Sequence, residues 1–238
     1  MRAVRRRTVA WTLVVLLLVA GFTLPRLESW LAATAPGNSL LTSTADEITR
    51  ARLTLRELAV AGRPGPAADY RRASFGKAWE DVDGNGCNQR DDVLLRDLRP
   101  DRAYTLGRQG SCGHDVLAGT WVDPYTGAEL VLTDAKERTQ AQTVQIDHVV
   151  PLLTAWRYGA RDWTDDTRLR FANDTANLVA VGGRANQDKS GSDAAQWRPI
   201  RAAQCGYAVR YLATKRAYLL ATDPVEKSAL GEMLGTCP

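Results

Sequence analysis

The stretch "QIDHVVPL", Gln145 to Leu152, sets an acid and an imidazole, Asp147 and His148, side by side in an otherwise apolar run. The chain has only two histidines. Burying an unpaired polar group costs on the order of ~2–7 kcal/mol, so this one needs partners or a task. The surrounding "TVQIDHVV" reads as a strand leading straight into the pair. Downstream, Asn177 opens a short buried strand, "NLVAV", and Asn186 follows nine residues later on a helix after a glycine turn. Two strands packed on that helix would bring the polar groups of Asp147, His148, Asn177, Asn186 and Lys189 together. The same stretch therefore predicts an α+β fold.

Around this nucleus, Thr44 to Val60 reads as an amphipathic helix whose Thr44 and Glu47 have the spacing of a capping box. From Tyr70 to Gly127 the chain is turn-rich, with "DVDGNG", "GRQGSCG" and "DPYTG" between apolar pieces, and predicts small strands and hairpins. "LLTAWRYGARDW" and "TDDTRLRFAND" are helical by spacing, with Thr164 or Asp165 as cap. Ala202 to Ala221 is the clearest helix, and "DPVEKSALGEMLGTC" adds another. Trp156, Trp163 and Trp197 read as core, because no basic residues alternate with them as in a base-stacking surface. Asn173 and Asp174 read as helix-terminating residues, kept by their nearness to the site as supporting candidates, and His114 as a surface loop residue.

The first 24 residues carry four arginines and then a charge-free run from Thr8 to Leu24. This is a secretory leader or a membrane anchor, and "ATA" at Ala33 to Ala35 offers a cleavage site. Residues 1–35 hold five Arg and one Glu, which leaves 26 basic and 26 acidic residues in the rest of the chain. The basic pI of about 9.0 therefore belongs to the leader and is no argument for nucleic-acid binding. The domain reading is 1–35 leader or anchor, 36–69 linker and helix, and 70–238 one functional domain with its strand–strand–helix core at about 143–193. The four cysteines, Cys87, Cys112, Cys205 and Cys237, are widely spaced with no CxxC, which in an exported chain suggests two disulfides rather than zinc. Chain order pairs Cys87 with Cys112 and Cys205 with Cys237.

The motif "DHVVPL…NLVAVGGRANQDKSGSD" resembles the HNH endonuclease superfamily, whose ββα-metal finger carries the pattern D-H, N, N-x-x-K. More closely, "QIDHVVPLLTAWRYGARDW…RLRFANDTANLVAVGGRANQDKSGSDAAQW" is similar to the group related to the C-terminal domain of GmrSD restriction enzymes, common in exported actinobacterial proteins. "FGKAWEDVDGNGCNQRDDVLLRDL" and "GTWVDPYTG" resemble the same group, so the likeness runs from about Tyr70 to the C-terminus. It implies a ββα-metal finger within one small α+β domain, with additional short strands and C-terminal helices.

The chemistry implied is phosphodiester hydrolysis, which needs a base for water, a cation for the phosphate charge and a proton source for the leaving oxygen. By the resemblance, His148 is the general base, its ring fixed by Asn177 or the Asn177 backbone. Asp147 and the Asn186 side-chain oxygen hold one divalent cation, Mg²⁺ or Mn²⁺, while Lys189 contacts the phosphate, with Arg184 as a second candidate. Each residue also has a plainer reading. Asp147 and His148 alone would be a structural pair, Asn177 a turn residue, Asn186 a helix cap and Lys189 a surface charge.

The sequence "DVDGNGCNQRDD" further matches an EF-hand calcium loop at Asp81, Asp83, Asn85 and Gly86, with Asp92 where the twelfth-position Glu usually stands. The other reading is a polar turn tethered by a disulfide at Cys87. The expected protein is a monomeric, exported metal-dependent endonuclease acting on DNA or RNA with little sequence preference, secreted, or held at the outer membrane face if the leader stays uncleaved. The rival is a secreted binding or adhesion module that keeps the scaffold without turnover.

Overall fold

A computed structural model describes residues 42–140 and 142–238; the leader expected at 1–35 lies outside the described residues. Among the described residues no helix is long and apolar enough to cross a membrane.

The chain enters through α1 (Ala45–Glu57). Thr44 Oγ1 accepts from the Glu47 backbone N–H, and the Glu47 carboxylate accepts in return from the Thr44 N–H at 2.8 Å, closing the capping box. Ile48, Ala51 and Thr54 form its buried face. A 3₁₀ turn at Arg72–Phe75 and the glycine-rich loop lead into α2 (Gln89–Asp97), whose N-cap Asn88 accepts from Asp91 N–H. This helix falls where only strands and hairpins were expected. Asn88, Asp91 and Asp92 are start signals of the right kind, and Val93, Leu94 and Leu98 supply its buried stripe.

Strands β1 (Thr105–Gln109), β2 (Cys112–Val122) and β3 (Glu129–Leu132) make an antiparallel sheet in that order. A second antiparallel pair joins β4 (Gln145–His148) to β5 (Leu178–Val181), with Asp147 opposite Val179 and His148 opposite Leu178. Between its two strands the chain inserts α3 (Leu152–Arg157) and α4 (Asp165–Ala172), the latter capped by Thr164. Three helices complete the chain, α5 (Gly183–Lys189), α6 (Arg201–Ala217) and α7 (Pro224–Leu234).

The β4–β5 pair lies between two apolar clusters, which explains why all of "LVAV" is buried. Ile146, Leu178 and Ala180 pack with Val93, Leu94, Val116 and Trp121 on the sheet side. Val179 and Val181 face the larger helical cluster of Phe171, Tyr207, Leu212 and Met233. Trp156 is in that cluster, and Trp163 and Trp197 pack against it.

Disulfides join Cys87 to Cys112 and Cys205 to Cys237. In the chain-entropy view, closing loops of 25 and 32 residues stabilises by roughly 3–4 kcal/mol each. A buried ion pair ties α6 to α7, with Lys215 Nζ 2.6 Å from Glu226 Oε2. Both oxygens of that carboxylate take further donors, one from Tyr211 and one from Thr222.

Candidate active site

β4 carries Asp147 and His148, and the two side chains meet different surroundings because successive residues of a strand point to opposite faces. The His148 ring is buried, with Nε2 2.8 Å from the carbonyl oxygen of Ala172 at the end of α4. A carbonyl can only accept, so Nε2 carries the proton and Nδ1 keeps its lone pair. Burial pushes the pKa of His148 down from 6.5 to about 4; the Ala172 bond and Asp147 oppose this, and the Arg72 and Lys189 cations add to it. The ring is therefore neutral near pH 7 and fixed in one tautomer, and among the described residues its Nδ1 takes no hydrogen bond. Trp79 lies nearly parallel to it, ring centroids 6.5 Å apart at 14°.

Asp147 is buried on the helical side. Its Oδ2 accepts from Tyr125 O–H at 2.7 Å and from Lys189 Nζ at 2.8 Å. Burial keeps Tyr125 protonated far above its ordinary range, so it remains a donor. Lys189 is 0% exposed and also donates to the His148 carbonyl oxygen at 2.8 Å. Burial lowers its pKa, against the pull of Asp147. An ammonium so enclosed braces the strand end rather than facing solvent as a phosphate contact. The alternative candidate, Arg184, stands out from α5, 94% exposed.

Asn177, also 0% exposed, makes its hydrogen bonds to Val149 and Val150, while the histidine ring is held by Ala172. Its side chain accepts from Val150 N–H at 2.8 Å and donates to Val150 C=O, and its own carbonyl accepts from Val149 N–H. It thereby locks the turn immediately after His148. Asn186 is half-buried on α5 and donates to Gln145 Oε1 at 2.8 Å, which sets α5 against β4.

Asp147 and Asn186 suit a hard divalent cation in one respect. Among the described residues each keeps one side-chain oxygen that takes no hydrogen bond, while the other polar atom of the group is engaged. Two oxygen donors with water and phosphate completing the shell is the pattern Mg²⁺ accepts.

Sequence reasoning passed over Tyr125 and kept Asn173 only as a supporting candidate. Tyr125, in "DPYTG", supports Asp147. Asn173 caps α4 as expected, yet it is 0% exposed, and its side chain accepts from Glu80 N–H at 3.0 Å and donates to Lys77 C=O. The signal available was the quoted "GTWVDPYTG" and "FGKAWED" stretches, read for resemblance and not for contacts.

The EF-hand-like residues do converge. Asp81 accepts from the backbone N–H groups of Gly84, Asn85 and Gly86. Asn85 Nδ2 donates to both Asp83 and Asp92, at 3.2 and 3.0 Å. The loop runs out into α2, as an EF-hand loop does into its second helix, but a single 3₁₀ turn stands before it. His114, expected as a loop residue, sits on β2 with Nε2 2.7 Å from Asp92 Oδ1. It also lies near Cys87 and Cys112, but sulfurs joined in a disulfide offer no thiolate for a metal.

The β4–β5 pair carries His148 and Asp147, and the following helix α5 carries Asn186, within an α+β domain. The chain belongs to the family of GmrSD restriction endonuclease C-terminal domains, whose family model matches residues 88–232. It is also 38% identical over 176 residues, 73% of this chain and 78% of the relative, to a protein of Arthroderma benhamiae described as an uncharacterized secreted protein.

Proposed function

We propose that the protein is an exported, metal-dependent HNH-type endonuclease that hydrolyses phosphodiester bonds of DNA or RNA with low sequence specificity. The observation that carries this reading is the His148 ring, held through Nε2–H on the Ala172 carbonyl so that Nδ1 is free to take a proton from water. Family membership, a secreted relative and two disulfides support the reading of substrate class and location.

His148 is the general base. A neutral imidazole with a depressed pKa is unprotonated at working pH, the state a base requires. Asp147 and Asn186 would hold the divalent cation, Mg²⁺ or Mn²⁺, which when bound supplies charge neutralisation at the phosphate. Tyr125 and Lys189 orient the Asp147 carboxylate through Oδ2, leaving its other oxygen for that task. Asn177 holds the turn that fixes where β4 ends. The roles that the resemblance gave to Asn177 and Lys189 thus become supporting ones.

The direct test is incubation of purified protein with supercoiled plasmid, and separately with single-stranded RNA, in Mg²⁺ or Mn²⁺ with and without chelator. Nicking that needs the metal supports the reading. No cleavage with any divalent ion would leave a binding module on the same scaffold.

A further inference from the structure

Residues 72–80 form a strap that lines the cleft beside His148, and this segment precedes the matched family region at 88–232. Arg72, Gly76, Lys77 and Trp79 line, together with His148 and Ala172, a cleft of about 20 Å³. That is room for about one water molecule and no more.

The strap is built to stay in place. Trp79 takes φ +60, a conformation rarely adopted by a bulky side chain. Gly76 takes φ +76, and a Cβ there would meet Leu169 Cδ1 at 2.7 Å. The buried Asn173 side chain holds the far end by accepting from Glu80 N–H and donating to Lys77 C=O. Asn173 directly follows Ala172, whose carbonyl holds the histidine ring. The end of α4 therefore positions the strap and the base together.

Of the strap's two cations, Lys77 is already paired with Glu80 at 3.0 Å. Arg72 is exposed, and its side-chain partner is the hydroxyl of Tyr70, not a carboxylate. A guanidinium that lines a water-sized cleft beside a base and has no carboxylate partner among the described residues is placed for a substrate oxyanion.

Resting on the nuclease reading, we propose that the strap is the substrate-facing wall of the site and that Arg72 contacts a backbone phosphate of the nucleic acid. The contact is to phosphate and carries no sequence information, in keeping with low specificity.

The test is binding of a short DNA duplex by fluorescence anisotropy in chelator, across a salt series, for the wild-type chain and Arg72→Ala. Losing one phosphate contact should reduce the salt slope by about 0.9 and weaken binding about eightfold at 0.1 M salt, equally for two unrelated sequences. Because Arg72 is exposed, its removal should leave the melting temperature unchanged, and Arg72→Lys should recover much of the slope. If wild type cleaves plasmid while Arg72→Ala binds with the same slope and affinity, the strap assignment is overturned. If wild type binds with an Arg72-dependent slope but cleaves nothing, the catalytic reading falls and the strap assignment stands. Failure of wild type to bind the duplex at low salt overturns the strap assignment outright.

Discussion

Replacing Lys189 by Met should destabilise the domain far more than losing a surface charge would. The ammonium stands 2.8 Å from Asp147 Oδ2, at 0% and 9% side-chain exposure respectively. At an effective dielectric of 20 that separation corresponds to about 6 kcal/mol of attraction, part of which offsets the desolvation of both charges. Removing the cation leaves a buried carboxylate with Tyr125 as its remaining donor, and the His148 carbonyl loses the lysine bond. Breaking a buried pair in this way costs about 3–5 kcal/mol. Against a total stability of roughly 5–15 kcal/mol, that is a large fraction.

Urea unfolding in chelator, which keeps metal out of the comparison, should show the midpoint falling by about 1–5 M for a slope of ~1–3 kcal/mol/M. Removing both charges, in Lys189→Met with Asp147→Asn, should cost less than the sum of the single changes, by about 1–3 kcal/mol. A Lys189→Met midpoint indistinguishable from wild type would refute the brace. It would return Lys189 to the solvent-facing phosphate contact that the sequence motif suggests.

Two further outcomes test the metal assignments. Asn186→Ala should weaken Mg²⁺ or Mn²⁺ binding measured by calorimetry and show partial recovery of nicking at high metal concentration; unchanged affinity would take Asn186 out of the ligand set. If the Asp81–Asp92 loop takes calcium, the melting temperature should rise in millimolar Ca²⁺ and the rise should vanish in Asp83→Ala. A melting curve indifferent to calcium would leave the loop a hydrogen-bonded turn.

Much of the architecture could be read from the sequence because its signals are local. The capping box at Thr44, the alternation into Asp147, the apolar β5 and the long α6 each follow from short-range pattern. The glycine-rich "DVDGNG" obscured α2, since turn chemistry dominated a window whose helix signals begin only at Asn88. Adjacent positions in the motif said that Asp147 and His148 belong to one site, but could not say what holds them. Ala172 acts through a backbone carbonyl and Tyr125 through a contact 22 residues from Asp147, and neither leaves a spacing rule to read. Lys189 misled for a similar reason, because a lysine one turn after an asparagine reads as a surface charge until burial is known. His114 likewise lacked a visible partner, although Asp92 lies 22 residues away in sequence and 2.7 Å away in space.

The central claim is that His148 is the base, and one measurement addresses it most directly: the rate of plasmid nicking by His148→Ala beside its melting curve and metal affinity. Loss of a general base lowers the rate by about 10²–10⁴-fold, while Asp147, Asn186 and the braces around them remain in place. The account predicts a loss in that range with metal binding close to wild type and a folded protein whose melting temperature falls by the amount a small cavity and the unpaired Ala172 carbonyl cost. Wild-type nicking by His148→Ala, from preparations free of contaminating nuclease, would contradict it and leave Asp147 and His148 as a structural pair on β4.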